Sequence, residues 1–151
     1  MTLVAAATVW LALFPGCAMH TMDIPANFVA VDKSALDGYD VRAVSADGVA
    51  VGLRSQSNPK NGSVEFWAEA IQNELTASKG YKLEKEEPLT SASGASGKLL
   101  VFSAQQSGAD FTYMLAVFVR GDAILIAEAG GKADAVKPKM DALKAALRSA
   151  R

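Results

Sequence analysis

The stretch from Phe111 to Val119 constrains the fold of this chain most strongly, because it is apolar on both sides. Successive side chains of a strand point to opposite faces of a sheet. One face of this strand would carry Phe111, Tyr113, Leu115, Val117 and Val119, and the other face would carry Met114, Ala116 and Phe118. A strand that is apolar on both faces must be covered on both faces. The sequence therefore predicts a sheet with a further layer on each side.

Further strands are predicted from alternating apolar residues between turn signals. We expect them at 28–31, 39–45, 49–54, 81–89, 98–104 and 123–129. Asp47-Gly48 between two apolar runs is typical of a hairpin. The connections around Gly108 and Gly121 are short and turn-rich, which predicts that the last three strands form an antiparallel meander.

Two amphipathic helices are predicted to cover this sheet. The first begins at a capping Ser63, ends near Gly80, and presents Val64, Trp67, Ile71 and Leu75 at helical spacing. The second is capped by Asp134, carries Pro138 in its first turn, and presents Val136, Met140, Leu143 and Leu147. The predicted fold class is α+β, with an antiparallel sheet of about six to seven strands sandwiched between helices.

The N-terminal region carries a different signal. Thr2 to Met22 contains no Asp, Glu, Lys or Arg, and the apolar run from Leu3 to Phe14 ends at Pro15-Gly16-Cys17. A spanning helix needs about 20 apolar residues, so this shorter run is typical of a secretion signal. The sequence therefore predicts a signal peptide at 1–16. An ordinary cleaved signal with an incidental cysteine and an uncleaved anchor helix are the alternatives.

The end of this run resembles the lipobox of bacterial lipoproteins. Cys17, the sole cysteine of the chain, follows Gly16 directly. The resemblance implies cleavage between Gly16 and Cys17, with a diacylglyceryl group and a fatty acyl group on Cys17. We expect residues 17–27, which include His20, to form a lipid-anchored tether. Residues 28–151 would then form a single domain.

The resemblance also concerns location. Ten extended residues reach at most about 35 Å, so the domain would lie close to the membrane. Ala18 follows the cysteine, which in double-membraned bacteria is similar to the arrangement of lipoproteins on the outer membrane facing the periplasm.

The order of elements resembles the PsbP-like fold family, in particular its bacterial lipoprotein branch (DcrB-like). The residues that carry the resemblance are Phe66-Trp67 with Ile71 and Leu75, Gly80-Tyr81-Lys82-Leu83, the run from Gly97 to Phe118, the run from Ala123 to Ala129, and Met140-Asp141-Ala142-Leu143. The resemblance covers about residues 28–149. It implies a non-catalytic module with varied partners and no shared active-site residues.

Composition restricts the chemistry of the domain. The formal net charge is −1 and no block of Lys or Arg stands out, which argues against a nucleic-acid partner. The only histidine is His20 in the expected tether, and lipidation would consume the only thiol. A Ser-His-Asp arrangement and a cysteine metal site are therefore excluded. We expect no enzyme activity, no metal site and no cofactor beyond the acyl group on Cys17.

Two function classes remain. The first is a lipid-anchored cell-envelope protein that acts near the membrane as a protein-binding or accessory module for another envelope protein. Its candidate interaction residues lie in two predicted polar loops, 54–62 and 90–97, and are Arg54, Gln56, Asn58, Lys60, Ser93 and Ser96. The alternative is a secreted or anchored carrier or sensor of a small apolar ligand, with space between sheet and helix left by Ala68, Ala70 and Ala116. A pocket with convergent polar groups favours the carrier, and an exposed apolar patch favours the protein-binding module.

Overall fold

The computed structural model describes residues 20–32 and 35–151 of the chain. The expected signal at 1–16, the cleavage site between Gly16 and Cys17, and the modification of Cys17 lie outside the described residues. Seven strands form one sheet in the order β1-β2-β3-β7-β6-β5-β4, and every neighbouring pair is antiparallel. The strands are β1 Phe28–Ala30, β2 Val41–Ser45, β3 Ala50–Ser57, β4 Lys82–Thr90, β5 Ser96–Gln106, β6 Ala109–Arg120 and β7 Ala123–Lys132.

The central strand β6 is covered on both faces, as its sequence predicts. Met114, Ala116 and Phe118 belong to one apolar cluster, which also contains Leu143 and Leu147 from the C-terminal helix. Leu115 and Val117 belong to the cluster on the opposite face, together with Ala68 and Leu75 from the first helix. The predicted α+β fold class, a sheet between helical layers, is confirmed.

The first helix, α1, extends over Val64–Asn73 and continues as a π-helical turn over Glu74–Ser78. Ser63 caps it as predicted, because its Oγ accepts a hydrogen bond from the Phe66 amide at 3.2 Å. Gly80 follows with a φ of 69°, a left-handed conformation that glycine adopts without steric penalty. We call the face of the sheet on which this helix packs the α1 face.

The C-terminal helical region is divided into three pieces: α2 Ala133–Val136, a 3₁₀ turn Lys137–Lys139 and α3 Met140–Arg148. The prediction that Asp134 caps one continuous helix is wrong, since Asp134 lies inside the first turn of α2. Pro138 has no amide hydrogen and falls in the 3₁₀ turn, where the regular helical hydrogen bonding is interrupted. The apolar spacing still places Leu143 and Leu147 in the core.

Part of the expected tether packs into the fold. Thr21 and Arg151 exchange backbone hydrogen bonds of 2.8 and 3.0 Å. Met22 is 6% exposed and belongs to the core, and the Asp23 amide donates to Ser149 Oγ at 2.8 Å. Only residues 18–20 separate Cys17 from the docked Thr21, a distance of roughly 14 Å at full extension.

Two of the expected loop boundaries are also wrong. β3 continues to Ser57, because it stays paired with β7 as far as the Ser57–Ala123 pair. Arg54 and Gln56 therefore lie in a strand, and Ser96 is the first residue of β5. The C-terminal half of β3 is polar and partly exposed, which made it look like a loop. Among the helices of residues 20–32 and 35–151, none combines the length and apolar character needed to cross a bilayer.

Candidate functional site

An open groove of about 660 Å³ lies on the α1 face of the sheet, beside the end of the π-helical turn. Its floor is formed by Ala50 and Gly52 of β3 and by Gly130 of β7. The registers Ala50–Gly130 and Gly52–Glu128 place these positions side by side. Because α1 packs against β5 and β6, it leaves this part of the sheet uncovered. We call this site the tyrosine groove, since Tyr39, Tyr81 and Tyr113 line it.

Two strand glycines determine where the groove tyrosines lie. A Cβ atom on Gly52 would lie 2.7 Å from Tyr39 Cε1, and one on Gly130 would lie 3.0 Å from Tyr113 Cδ2. A Cβ atom on Gly52 would be too close for the ring to stay in place, and one on Gly130 would force the ring to shift by a few tenths of an ångström. The aromatic rings therefore lie against backbone that glycine leaves accessible. The absence of two side chains therefore allows the tyrosines to line the floor of the groove.

A hydrogen-bonded carboxylate lies at the centre of the groove. Glu128 of β7 is 9% exposed, and it accepts hydrogen bonds from Tyr113 Oη at 2.7 Å and from Tyr39 Oη at 3.2 Å. Arg54 Nε donates to its other oxygen at 2.6 Å. A buried carboxylate is tolerated when its charge is paired and its oxygens are hydrogen-bonded. Glu128 meets both conditions.

Burial and the Glu128 charge set the protonation of the groups around it. Burial raises the pKa of Tyr113, and the negative charge and hydrogen bond of Glu128 raise it further. The same causes raise the pKa of Tyr39. Burial opposes the charge on Arg54, but Glu128 outweighs this and raises the pKa of the guanidinium. Both phenols therefore stay protonated and donate to Glu128, so their oxygens offer only lone pairs to the groove.

The rim of the groove carries two cationic side chains. Arg42 of β2 lies opposite Gly52 in the register, with its guanidinium carbon 5.4 Å from the centre of the Tyr39 ring. Lys79 follows the π-helical turn and is exposed. Within the described part of the chain, neither side chain forms an ion pair. The groove thus has hydrogen-bond acceptors at its floor and positive charge at its rim.

This arrangement is suited to binding. The oxygens of Glu128 are already engaged by Arg54 and two tyrosines, so the carboxylate holds the groove in shape. No group of three or more metal-ligating side chains occurs in residues 20–32 and 35–151.

Of the six predicted interaction residues, only Arg54 contributes to this site, through Glu128. Asn58 is 1% exposed and has a structural role, since its Oδ1 accepts from Trp67 Nε1 at 3.1 Å and from the Gly62 amide at 2.8 Å. Gln56 and Lys60 are exposed near the end of β3.

Ser93 and Ser96 are exposed around the β4–β5 turn. They lie at the opposite end of β5 from Gln105 and Gln106, which line the groove. The Ser57–Ala123 and Gly97–Phe118 pairs place both predicted loops at the end of the sheet away from the groove, so neither loop lines it.

Sequence reasoning missed Glu128, Tyr39 and Tyr113 as site residues. One signal was present: Glu128 is the only charged residue in the apolar run from Ala123 to Ala129. A single carboxylate in a strand that is otherwise buried needs a partner elsewhere. Gly52 and Gly130, in the interiors of strands, were a second signal, because glycine there marks a close approach.

Neither a family model nor a curated protein sequence matches the chain. Several solved structures are similar to the chain. The cyanobacterial PsbP (CyanoP) of Synechocystis sp. PCC 6803 is 14% identical, with a TM-score of 0.64, and the match covers 88% of this chain and 86% of that one. LpqN of Mycobacterium tuberculosis, described as involved in cell envelope biogenesis, is 14% identical with a TM-score of 0.67, covering 87% and 81%.

The Ran-binding protein Mog1p of Saccharomyces cerevisiae is also similar. It is 13% identical with a TM-score of 0.54, and the match covers 86% of this chain and 81% of that one. At these identities the likeness shows the fold alone. The PsbP-like fold implied by the sequence resemblance is therefore confirmed.

Proposed function

We propose that this protein is a non-catalytic, lipid-anchored protein of the bacterial cell envelope that binds a small molecule in the tyrosine groove. The observation that carries this proposal is the groove itself. Its volume of about 660 Å³ falls in the usual range for small-molecule sites, roughly 300–1,000 Å³. Its polar groups converge on one carboxylate held by Tyr39, Tyr113 and Arg54. Among the alternatives that the sequence left open, this geometry favours the ligand carrier or sensor, with a polar rather than an apolar site.

The envelope location is supported by the N-terminal sequence and by one similar structure. The apolar run that ends in Gly16-Cys17 resembles a lipoprotein signal, and the similar protein LpqN is described as involved in cell envelope biogenesis. A thioether-linked diacylglyceryl group on Cys17 would hold the domain at the membrane. In a double-membraned bacterium, Ala18 favours the outer membrane facing the periplasm.

The position of the docked N-terminal segment suggests how the groove is oriented. Thr21 pairs with Arg151, and the Arg148 carbonyl accepts from the Ala92 amide at 2.7 Å, so the anchor would lie near the β4–β5 turn. Gln105 and Gln106 line the groove at the other end of β5. A strand rises about 3.3 Å per residue, so this 11-residue strand separates the two ends by roughly 33 Å. The groove would therefore open away from the membrane, towards soluble ligands.

Intact-mass spectrometry tests the anchor. The protein is purified from its native membrane beside a Cys17→Ser variant. We expect the parent to begin at Cys17 and to carry added acyl mass, and the variant to lack that mass. A parent chain that is unacylated and found in the soluble fraction would contradict the anchor, and would leave a secreted ligand-binding domain.

A second candidate function is the binding of another envelope protein, and a specific surface favours it. Phe66 at the start of α1 is 57% exposed, and its ring meets Trp67 edge to face at 5.3 Å. This pair lies beside residues 58–62, the part of the predicted 54–62 loop that follows β3, and a Cβ atom on Gly62 would meet both rings. An exposed aromatic side chain of this kind is typical of interface anchors.

A photo-crosslinking residue at position 66 tests this candidate, with the same residue at exposed position 142 on α3 as control. We expect a discrete crosslinked envelope protein from position 66 only. Equal products from both positions would contradict a specific surface.

A further inference from the structure

We infer that the ligand of the tyrosine groove is a small organic anion, a carboxylate carried on a flat ring. This inference deepens the proposed function and depends on it. It rests on three features of the groove: unpaired positive charge at the rim, a carboxylate that is already neutralised, and flat walls made of tyrosine rings.

The positive charge at the rim is not compensated by the protein. Several other cations of the described chain form ion pairs, for example Lys144 with Glu87 at 3.1 Å and Arg151 with Asp23 at 3.0 Å, whereas others on the open surface do not. Arg42 and Lys79 form none, although both face the groove. A carboxylate bound in the groove would accept a charge-assisted hydrogen bond from either cation.

Glu128 does not reverse this preference, although among the described residues it is the only acidic side chain that lines the groove. Its charge is balanced by Arg54 at 2.6 Å, and its second oxygen accepts two phenolic hydrogens. A cationic ligand would also compete with Arg42, which already lies over the Tyr39 ring. The site therefore favours negative over positive ligands.

The tyrosine rings that line the groove favour a flat ligand. Tyr81 and Tyr113 meet edge to face, with ring centres 5.8 Å apart. The rings of Tyr39 and Tyr113 lie over Gly52 and Gly130 and give the groove an aromatic floor. A ring that lies on this floor would contact the faces and edges of the tyrosines. A hydroxyl on the ring would donate to a phenolic oxygen, since the protons of Tyr39 and Tyr113 are committed to Glu128.

Three probes that share a 4-hydroxyphenyl ring and carry a negative, a neutral or a positive group test the inference. 4-Hydroxybenzoate, 4-hydroxybenzamide and 4-hydroxybenzylamine are titrated into the full, acylated chain in detergent micelles, and ¹H–¹⁵N correlation spectra are recorded. We expect the benzoate to shift the amide signals of Gly52 and Gly130, and to bind about tenfold more tightly than the amide, as hydrogen bonds to partly exposed cations allow. The amine should bind most weakly.

Two matched double variants test whether the cations at the rim cause the preference for the benzoate. Arg42→Gln with Lys79→Gln should abolish the difference between benzoate and amide, while Arg120→Gln with Lys137→Gln, which removes two exposed cations elsewhere, should preserve it. If the rim variant keeps the preference, the inference is overturned.

The remaining outcomes separate the inference from the proposed function. If the amide or the amine binds in the groove as tightly as the benzoate, the inference of an anionic ligand is wrong and the groove remains a binding site. If none of the probes shifts signals of the groove below about 10 mM, both the inference and the proposed binding function are overturned.

Discussion

Replacing Glu128 by glutamine tests whether the carboxylate at the centre of the groove holds the site together. The substitution keeps the shape of the side chain and removes its charge. Glu128 accepts hydrogen bonds of 2.6 Å from Arg54, 2.7 Å from Tyr113 and 3.2 Å from Tyr39. Glutamine has one accepting oxygen and a donating NH2 group, so at least one of the short bonds loses its acceptor and the others keep only a neutral one.

The expected cost follows from these contacts. A hydrogen bond to a charged group contributes about 1.5–3 kcal/mol, and the 3.2 Å bond from Tyr39 contributes less. Two effects reduce the loss: a buried charge no longer has to be desolvated, and Arg54, whose side chain is 32% exposed, can regain water. We expect Glu128→Gln to lower the free energy of unfolding by about 2 kcal/mol.

Urea unfolding of the parent and the variant at neutral pH measures this difference, with the slope of the transition unchanged. Glu84→Gln is the control, because Glu84 also accepts a short hydrogen bond, from Ser103 at 2.6 Å, but on the exposed surface. Its unfolding midpoint should not change measurably. A Glu128→Gln variant as stable as the parent would refute the reasoning, since the carboxylate would then be solvated rather than held by its three donors.

Three further predictions concern other parts of the structure. Gly97→Ala should destabilise the protein by about 3 kcal/mol in urea unfolding, because the added Cβ would overlap the backbone oxygen of Val117; a change near zero would contradict the close approach of β5 and β6. The raised pKa of Tyr113 predicts that the free energy of unfolding falls as the pH rises above about 10, because the unfolded phenol ionises there and the folded one does not. This pH dependence should be shallower in Tyr113→Phe. An unchanged pH dependence would contradict the burial of Tyr113. Met22→Ala should lower the free energy of unfolding by about 2 kcal/mol, and the half-exposed control Ile24→Ala by much less; equal effects would mean that the N-terminal segment is not docked.

The architecture could be predicted because it depends on local periodicity. The alternation in Phe111–Val119 is apolar on both faces whatever the neighbouring strands are, and this alone requires a layer on each side. The cap at Ser63 is equally local, since the hydroxyl and the amide it accepts from are three residues apart. Such features do not depend on contacts that are distant in sequence.

The groove depends on contacts that local patterns do not contain. Arg54 is 74 residues from Glu128, and Tyr39 is 89 residues away. Their convergence follows from the strand order, in which β7 lies between β3 and β6. That order could not be read from the sequence, because an antiparallel sheet permits several orders with the same strands. Arg54 was therefore assigned to a loop, and Glu128 was not recognised as a site residue.

The central claim is that the tyrosine groove holds a small molecule, and native mass spectrometry tests it most directly. The protein is purified from its native cells as the parent and as an Ala50→Trp variant, whose indole would occupy the floor of the groove, with exposed Ala77→Trp as the control. The account predicts one added small-molecule mass on the parent and on the control, and its loss from the Ala50→Trp variant. An added mass that persists when the groove is filled, or a parent that carries none, would contradict it.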